Sequence, residues 1–184
     1  MNRRSVLKQL SLGVGATILG SKAMAHFTND FIEYETPTNP LYKKLIRPVT
    51  AITLGAGSRG NVYGNFAAQY PDQLKIVGVA EPIVIRNERY AAKHQIDAKN
   101  RFDTWERVFE RPKFADAIII STPDALHYGP CMKALEMGYD ILLEKPIAPT
   151  EKECRNILAL AKKTRRIVAV CHVFRYAPYF VKMK

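Results

Sequence analysis

Three glycines, Gly55, Gly57 and Gly60 in GAGSRG, have the spacing G-x-G-x-x-G, which suits backbone that must lie against a flat, charged group. The residues before them, PVTAITL from Pro48 to Leu54, are apolar and β-branched over a strand's length, and NVYGNFAAQY after them can wind as a helix with Val62, Phe66 and Ala67 inward. In a strand-turn-helix unit each glycine has its own task. Gly55 permits the tight turn, Gly57 lets the backbone approach a pyrophosphate, and Gly60 lets helix and strand pack closely. The helix N-terminus adds unpaired N–H groups and the positive end of its dipole, so the chemistry expected is dinucleotide binding.

A second residue strengthens this. LKIVGVA from Leu74 to Ala80 is another apolar strand, and it ends in Glu81, 21 residues beyond Gly60. A βαβ unit places there the acid that accepts hydrogen bonds from the adenosine ribose. A carboxylate at that point repels a 2′-phosphate, so NAD is favoured over NADP, with Arg86 five residues on as a partial offset.

The rest of the chain supplies the elements that must position this unit. RNERYAAKH from Arg86 to His94 reads as a helix with Tyr90 and Ala91 inward and His94 at its surface end. Phe102 marks a short third strand, and Asp103 or Thr104 caps a helix with Trp105, Val108 and Phe109 on its core face. ADAIIIS from Ala115 to Ser121 is the most apolar strand, as expected of one covered by helices on both faces. A helix from Pro130 to Met137 closes at Gly138, a fifth strand runs from Tyr139 to Leu143, and Thr150 with Glu153 forms a capping box. Ile167 to Cys171 is a sixth strand. Alternating strands and helices predict an α/β fold, a doubly wound parallel sheet of Rossmann type in the order 3-2-1-4-5-6.

Composition narrows the classes. At 184 residues and 47% hydrophobic content there is room for one domain with a real core. Cys131, Cys154 and Cys171 are odd in number and lie in apolar or helical runs, which suits buried thiols rather than disulfides or metal ligands. The formal charge is +11, but Arg3, Arg4, Lys8 and Lys22 supply four of the 28 basic residues, and the others form no stripe, which argues against nucleic acid. Those four belong to a segment of three parts: NRRSVLK, an uncharged stretch containing LSLGVGATILG, and Ala23-Met24-Ala25. This is the layout of an export signal over residues 1–25, too short and glycine-rich in its apolar part to span a bilayer. Membrane contact is expected only during export. Residues 26–47 read as a linker.

The paired arginines resemble the twin-arginine motif, with Asn2 and Val6 as departures, and imply export of a folded protein to the periplasm; without that signal the protein would stay in the cytoplasm. GAGSRG after the first strand, STPDALH after the fourth and EKP after the fifth together resemble the glucose-fructose oxidoreductase, inositol dehydrogenase and rhizopine-catabolism (Gfo/Idh/MocA) family over about residues 48–180. The resemblance implies NAD(P)-dependent hydride transfer to or from a hydroxyl-bearing carbon of a sugar, cyclitol or related substrate. It assigns Gly55, Gly57, Ser58, Arg59 and Gly60 to the pyrophosphate and Glu81 to the ribose. Thr122, Pro123 and His127 then line the path to the nicotinamide, with Glu144 and Lys145 at its ring and the substrate. Lys145, at a strand's carboxyl end, is the expected catalytic residue, hydrogen-bonding the substrate oxygen. Pro146 is expected after a cis peptide, and His172 and Arg175 at a strand exit facing the cleft. In the family a second α/β domain follows and carries the substrate pocket, the usual acid-base pair and any oligomer contact. The chain ends at Lys184 without it. Three readings follow: the nucleotide-binding portion of such an oxidoreductase, a catalytically silent NAD-binding module, or part of an NAD-dependent glycosidase.

Overall fold

The computed structural model describes residues 46–175 and 177–183. The expected signal segment, and all of the expected linker but its last two residues, lie outside them.

Six strands form one sheet: β1 (Val49–Leu54), β2 (Leu74–Ala80), β3 (Arg101–Phe102), β4 (Ala117–Ile120), β5 (Asp140–Leu143) and β6 (Val168–Val170). Their order is β3-β2-β1-β4-β5-β6 and every pairing is parallel, as expected. The helices are α1 (Ser58–Gln69), α2 (Val84–Lys93), α3 (Trp105–Val108), α4 (Tyr128–Glu136), α5 (Glu151–Thr164) and α6 (Pro178–Val181). Two-sided burial explains the apolar run of β4. Ile118 and Ile120 join the core beneath α4 and α5 with Ile52, Leu54, Leu135 and Ile157, while Ile119 faces the core beneath α1 and α2 with Ala51, Ala67 and Tyr90.

At the amino ends of β1 and β4, Asp116 accepts two hydrogen bonds from Arg47, at 2.6 and 2.8 Å, and two from the amide and hydroxyl of Thr50. These partners, Arg47 first, hold the Asp116 carboxyl well below the usual carboxylate range. The last residue of the expected linker is thus part of the domain. The capping box of α5 forms as expected, Thr150 Oγ1 accepting from the Glu153 amide.

Two expectations are corrected. The inner face of α1 is Gly60, Gly64 and Ala67, whereas Val62 and Phe66 are 47% and 43% exposed. The helix lies too close to its neighbours for larger side chains: a Cβ on Gly60 would stand 2.1 Å from the Gly55 carbonyl oxygen, and one on Gly64 would stand 2.6 Å from His94 Nε2. His94 is for that reason half-buried rather than exposed. Its ring packs on Tyr90 at 4.6 Å between centroids, and Nε2 is buried with no hydrogen-bond partner among the described residues. Thr104, one of the two expected capping residues, is the N-cap of α3, without a capping hydrogen bond from its side chain.

Burial, helped by neighbouring Lys93, lowers the pKa of the His94 imidazole. The unfolded chain therefore binds more protons as pH falls through the unperturbed value of about 6.5, and acid destabilises the native state. Wild-type protein should lose unfolding free energy between about pH 7.5 and about pH 5.5, and His94→Leu should lose less over the same interval, as read by urea denaturation at the two pH values.

Candidate functional site

The order of strands reverses between β1 and β4, and ligands of open parallel sheets bind outside the carboxyl ends of strands at such a point. There the chain leaves β1 through Gly55, whose φ is +89°, and its amide donates to the Ala80 carbonyl at 2.8 Å. A Cβ on Gly55 would lie 2.7 Å from the Ser121 carbonyl oxygen, so only glycine allows the loops after β1 and β4 to touch. Ser121 Oγ donates to Gly55 O at 2.7 Å, and Asn61 Nδ2 donates to the carbonyls of Ala56 and Gly57 at 2.8 and 2.9 Å. The loop's acceptors are thereby occupied.

Its donors are left open. Gly57 is the N-cap of α1, no side chain caps the helix, and its first turn holds no acidic residue. The first intrahelical bond runs from the Asn61 amide to Gly57 O, so the amides of Ser58, Arg59 and Gly60 have no helical carbonyl to meet. A Cβ on Gly57 would find only Arg86 Nη1 within 4 Å, at 3.9 Å. The middle glycine thus borders open space, and a group of dinucleotide shape with a diphosphate at its centre fits the arrangement.

That space is a cleft of 630 Å³ lined by Gly55, Gly57, Ser58, Arg59, Glu81, Thr122 and Pro123 among others. Glu81, 5% exposed, stands at the carboxyl end of β2. Its Oε2 accepts from the Ala56 amide at 2.8 Å and its Oε1 from the Ile83 amide at 3.1 Å. Each carboxylate oxygen can accept a further bond, as two ribose hydroxyls would require.

The Arg59 side chain, as distinct from its amide, is engaged with the loop after β5. Its Nε donates to Glu144 Oε1 at 2.6 Å and Nη2 also lies 2.6 Å from that oxygen, while Tyr63 donates to the same oxygen and Lys145 N lies 3.3 Å from Oε2. Glu144, 5% exposed, is the partner of this arginine rather than a group presented at the cleft. Burial pushes the Glu144 carboxyl up, but the bonds from Tyr63 and Arg59 outweigh it and the net pKa is lowered; the Arg59 guanidinium is correspondingly raised, chiefly by Glu144. Burial, with the neighbouring Cys171 and the bond to Glu144, raises the Tyr63 phenol. This network joins the phosphate loop to the loop after β5, and Cys171, 3.4 Å from Arg59 Nη2, joins it from the end of β6.

His127 is fully buried and does not line the cleft. Its Nδ1 is 2.7 Å from Pro146 O and its Nε2 is 3.0 Å from Thr122 O, so the ring ties the loops after β4 and β5 together. The Lys145–Pro146 bond is cis. The Lys145 side chain is exposed at the carboxyl end of β5, outside the cleft lining, and the ion pair of Glu144 among the described residues is with Arg59. His172 and Arg175 are exposed just beyond β6, outside the cleft lining. No group of three or more metal-ligating side chains exists among the described residues.

Sequence reasoning missed Asn61, Tyr63 and Ser121, which bind to carbonyls or to a carboxylate far along the chain and leave no spacing signal. Trp105 was assigned to the core; it packs there but also lines the cleft beside Glu106 and Leu126, and it is the chain's single tryptophan.

The three glycines should separate by experiment. Gly60→Ala forces Cβ onto a backbone carbonyl and should cost about 1–3 kcal/mol of stability. Gly57→Ala should keep the thermal midpoint, yet weaken NAD binding by about tenfold or more, because its Cβ occupies the space the pyrophosphate needs. NAD titration followed by Trp105 fluorescence, with a melting curve for each variant, reads both effects.

The model of the oxidoreductase family with an NAD-binding Rossmann fold (Gfo/Idh/MocA) matches residues 50–172. The NAD-dependent scyllo-inositol 2-dehydrogenase of Bacillus subtilis is 30% identical over 136 residues, which are 74% of this chain and 39% of that protein. Among solved structures, the inositol dehydrogenase homologue of Azotobacter vinelandii complexed with NADH and myo-inositol superposes with a TM-score of 0.62 at 24% identity, over 73% of this chain and 37% of that one. The WlbA dehydrogenase of Bordetella pertussis, complexed with NADH and UDP-GlcNAcA, reaches a TM-score of 0.68 at 17% identity, over 75% and 41%. The chain thus spans about two fifths of the length of these three relatives, and the part shared is the nucleotide-binding half. With the family model covering two thirds of its length and its glycine loop, Glu81 and sheet order all in place, the chain belongs to the Gfo/Idh/MocA oxidoreductase family and carries that family's NAD-binding Rossmann domain.

Proposed function

We propose that the chain is the nucleotide-binding portion of an oxidoreductase that moves hydride to or from a hydroxyl-bearing carbon of a sugar, cyclitol or related polyol. The observation that carries this reading is the uncapped N-terminus of α1 beneath the open Gly57, facing a cleft that also presents Glu81. The amides of Ser58, Arg59 and Gly60 hold the diphosphate, Glu81 takes the ribose, and Thr122 and Pro123 border the way to the nicotinamide end. The cofactor, when bound, supplies the hydride acceptor or donor. The substrate class rests on the inositol and sugar-nucleotide ligands of the relatives.

Lys145 is the residue of this portion assigned to the chemistry. Its ammonium hydrogen-bonds the substrate oxygen and eases proton loss as hydride leaves carbon. The backbone that carries it is held by Glu144, itself fixed by Arg59 and Tyr63, and by the His127 contact to Pro146. A second domain completes the substrate pocket and contributes the acid-base pair. Export through the twin-arginine route is part of the same reading, supported by Arg3, Arg4, the uncharged segment and Ala23-Met24-Ala25.

In the full-length protein, Lys145→Ala should lower turnover of an inositol or sugar substrate by about a hundredfold or more while NAD affinity stays within about twofold. Unchanged turnover removes Lys145 from the mechanism. Changing both Arg3 and Arg4 to Lys should abolish the periplasmic pool in cell fractionation, and a pool that persists refutes the twin-arginine route.

A further inference from the structure

β6 is an outermost strand of the sheet, and among the described residues nothing pairs with its outer side. Its ladder with β5 shows which backbone groups are left over. The Ile141 amide donates to Ile167 O and the Cys171 amide to Leu143 O, so Ile167, Ala169 and Cys171 turn their polar groups to β5. In a parallel ladder these groups alternate in direction, and the amides and carbonyls of Val168 and Val170 therefore point outward. The Val170 carbonyl accepts from the His172 amide at 3.0 Å and has a second lone pair; the other three groups have no partner among the described residues. Open edges are usually protected by a charge, a proline or a bulge, and Val-Ala-Val carries none of these. Three residues make a short contact, however, so pairing there needs a second surface to support it.

That surface lies alongside. A groove of 500 Å³ runs between β6 and α5, lined by Ile157, Leu158, Ala161, Val168 and Val170 among others, and none of its residues borders the cofactor cleft. Leu158 is 55% exposed. On the other face of the strand, where Ala169 pairs with Leu142, Ile167 and Ala169 are exposed as well. Apolar side chains therefore flank the open edge on both faces of the sheet.

The edge is complementary to itself. With a second copy laid antiparallel about a twofold axis at Ala169, Val168 stands opposite the partner's Val170, and the two residues exchange both of their outward hydrogen bonds. Ala169 then meets the partner's Ala169 as the closer, non-hydrogen-bonded kind of pair, with Cα atoms about 4.5 Å apart, which a methyl group tolerates. An axis normal to the sheet keeps α5 of both copies on one face, so the two grooves merge and cover each other's apolar lining. The two helices run antiparallel. Glu151 and Glu153 lie in the first turn of α5, Lys162 and Lys163 in its last, and Arg165 and Arg166 at the groove just beyond, so each basic end lies beside an acidic end and the helix dipoles oppose.

We infer that the chain forms a closed dimer by antiparallel pairing of β6 with β6 of a second copy, which joins two six-stranded sheets into one and buries the groove beside α5. The contact is isologous and consumes the edge it is made of, so it ends at two chains. Both cofactor clefts stay open.

The test is analytical ultracentrifugation of the whole chain over a range of concentrations, where wild type should show a reversible equilibrium between monomer and dimer. Ala169→Lys and Ala169→Glu each set like charges directly opposite one another, and each should raise the dissociation constant by about tenfold or more. Because residue 169 is exposed in the monomer, both variants should keep the circular dichroism and thermal midpoint of wild-type monomer. An equal mixture of the two variants should associate within about threefold of wild type, since lysine then faces glutamate; this rescue requires the register in which residue 169 meets itself. Leu158→Ser should weaken the dimer as well. Wild type that stays monomeric at every concentration overturns the inference. So do charge variants that associate like wild type, a mixture no tighter than either variant alone, or growth beyond two chains, which pairing of β6 with the β3 edge of the next copy would give.

Discussion

The structure depends on how closely backbone can approach backbone at the reversal of strand order. The Gly55 loop touches the Ser121 backbone, and Gly60 touches Gly55 in turn, so two hydrogen atoms stand where side chains would separate α1 from the sheet. Everything useful about the cleft follows from that proximity. The helix begins directly above the strand ends, its open amides point across them, and Glu81 reaches the loop from β2 without crossing solvent. Were the helix farther away by the width of a methyl group, the same residues would be present but would not converge.

A second layer of contacts holds the loops after β4 and β5 in register with that floor. Arg59 leaves the phosphate loop for Glu144, and His127 bridges Thr122 and Pro146. These polar contacts are buried or half-buried and link elements far apart in the chain. A buried charge left without its partner carries a heavy penalty, so Arg59 and Glu144 sustain one another. The residue next to Glu144 is Lys145, and its placement therefore depends on a side chain that belongs to the nucleotide loop. Cofactor floor and candidate catalytic lysine form one mechanical unit.

Much of this was legible in the residues. Periodicity and glycine spacing announced the strands, the sheet order, the fingerprint and Glu81, because those signals are local and each has a single structural solution. Position along the chain also placed Thr122 and Pro123 at the cleft. What could not be read was direction. Arg59 lies inside the fingerprint, but its side chain turns to a glutamate that no local pattern connects to it, and His127 points inward although its motif ends at a strand exit. The inner face of α1 misled for a related reason. Hydrophobic residues usually mark the buried side, but here the packing distance admits only small ones, leaving Val62 and Phe66 outside. The one-residue shift in the pairing of β1 with β2 after Ala51, which reverses the sense in which later side chains face, likewise leaves no mark in the sequence.

Tyr90 joins the two helices beneath the cleft: its hydroxyl lies 2.9 Å from Thr53 Oγ1 and donates to Gly60 O at 3.2 Å. Burial pushes this phenol up to about 12, with the Thr53 contact opposing. Glu144 is displaced downward and Arg59 upward, so all three groups move away from neutrality rather than toward it. Near neutral pH these three groups of the scaffold therefore each keep a single charge state. A change in cofactor affinity with pH would then be a message from other groups, with no contribution from these three residues of the floor on which the cofactor rests.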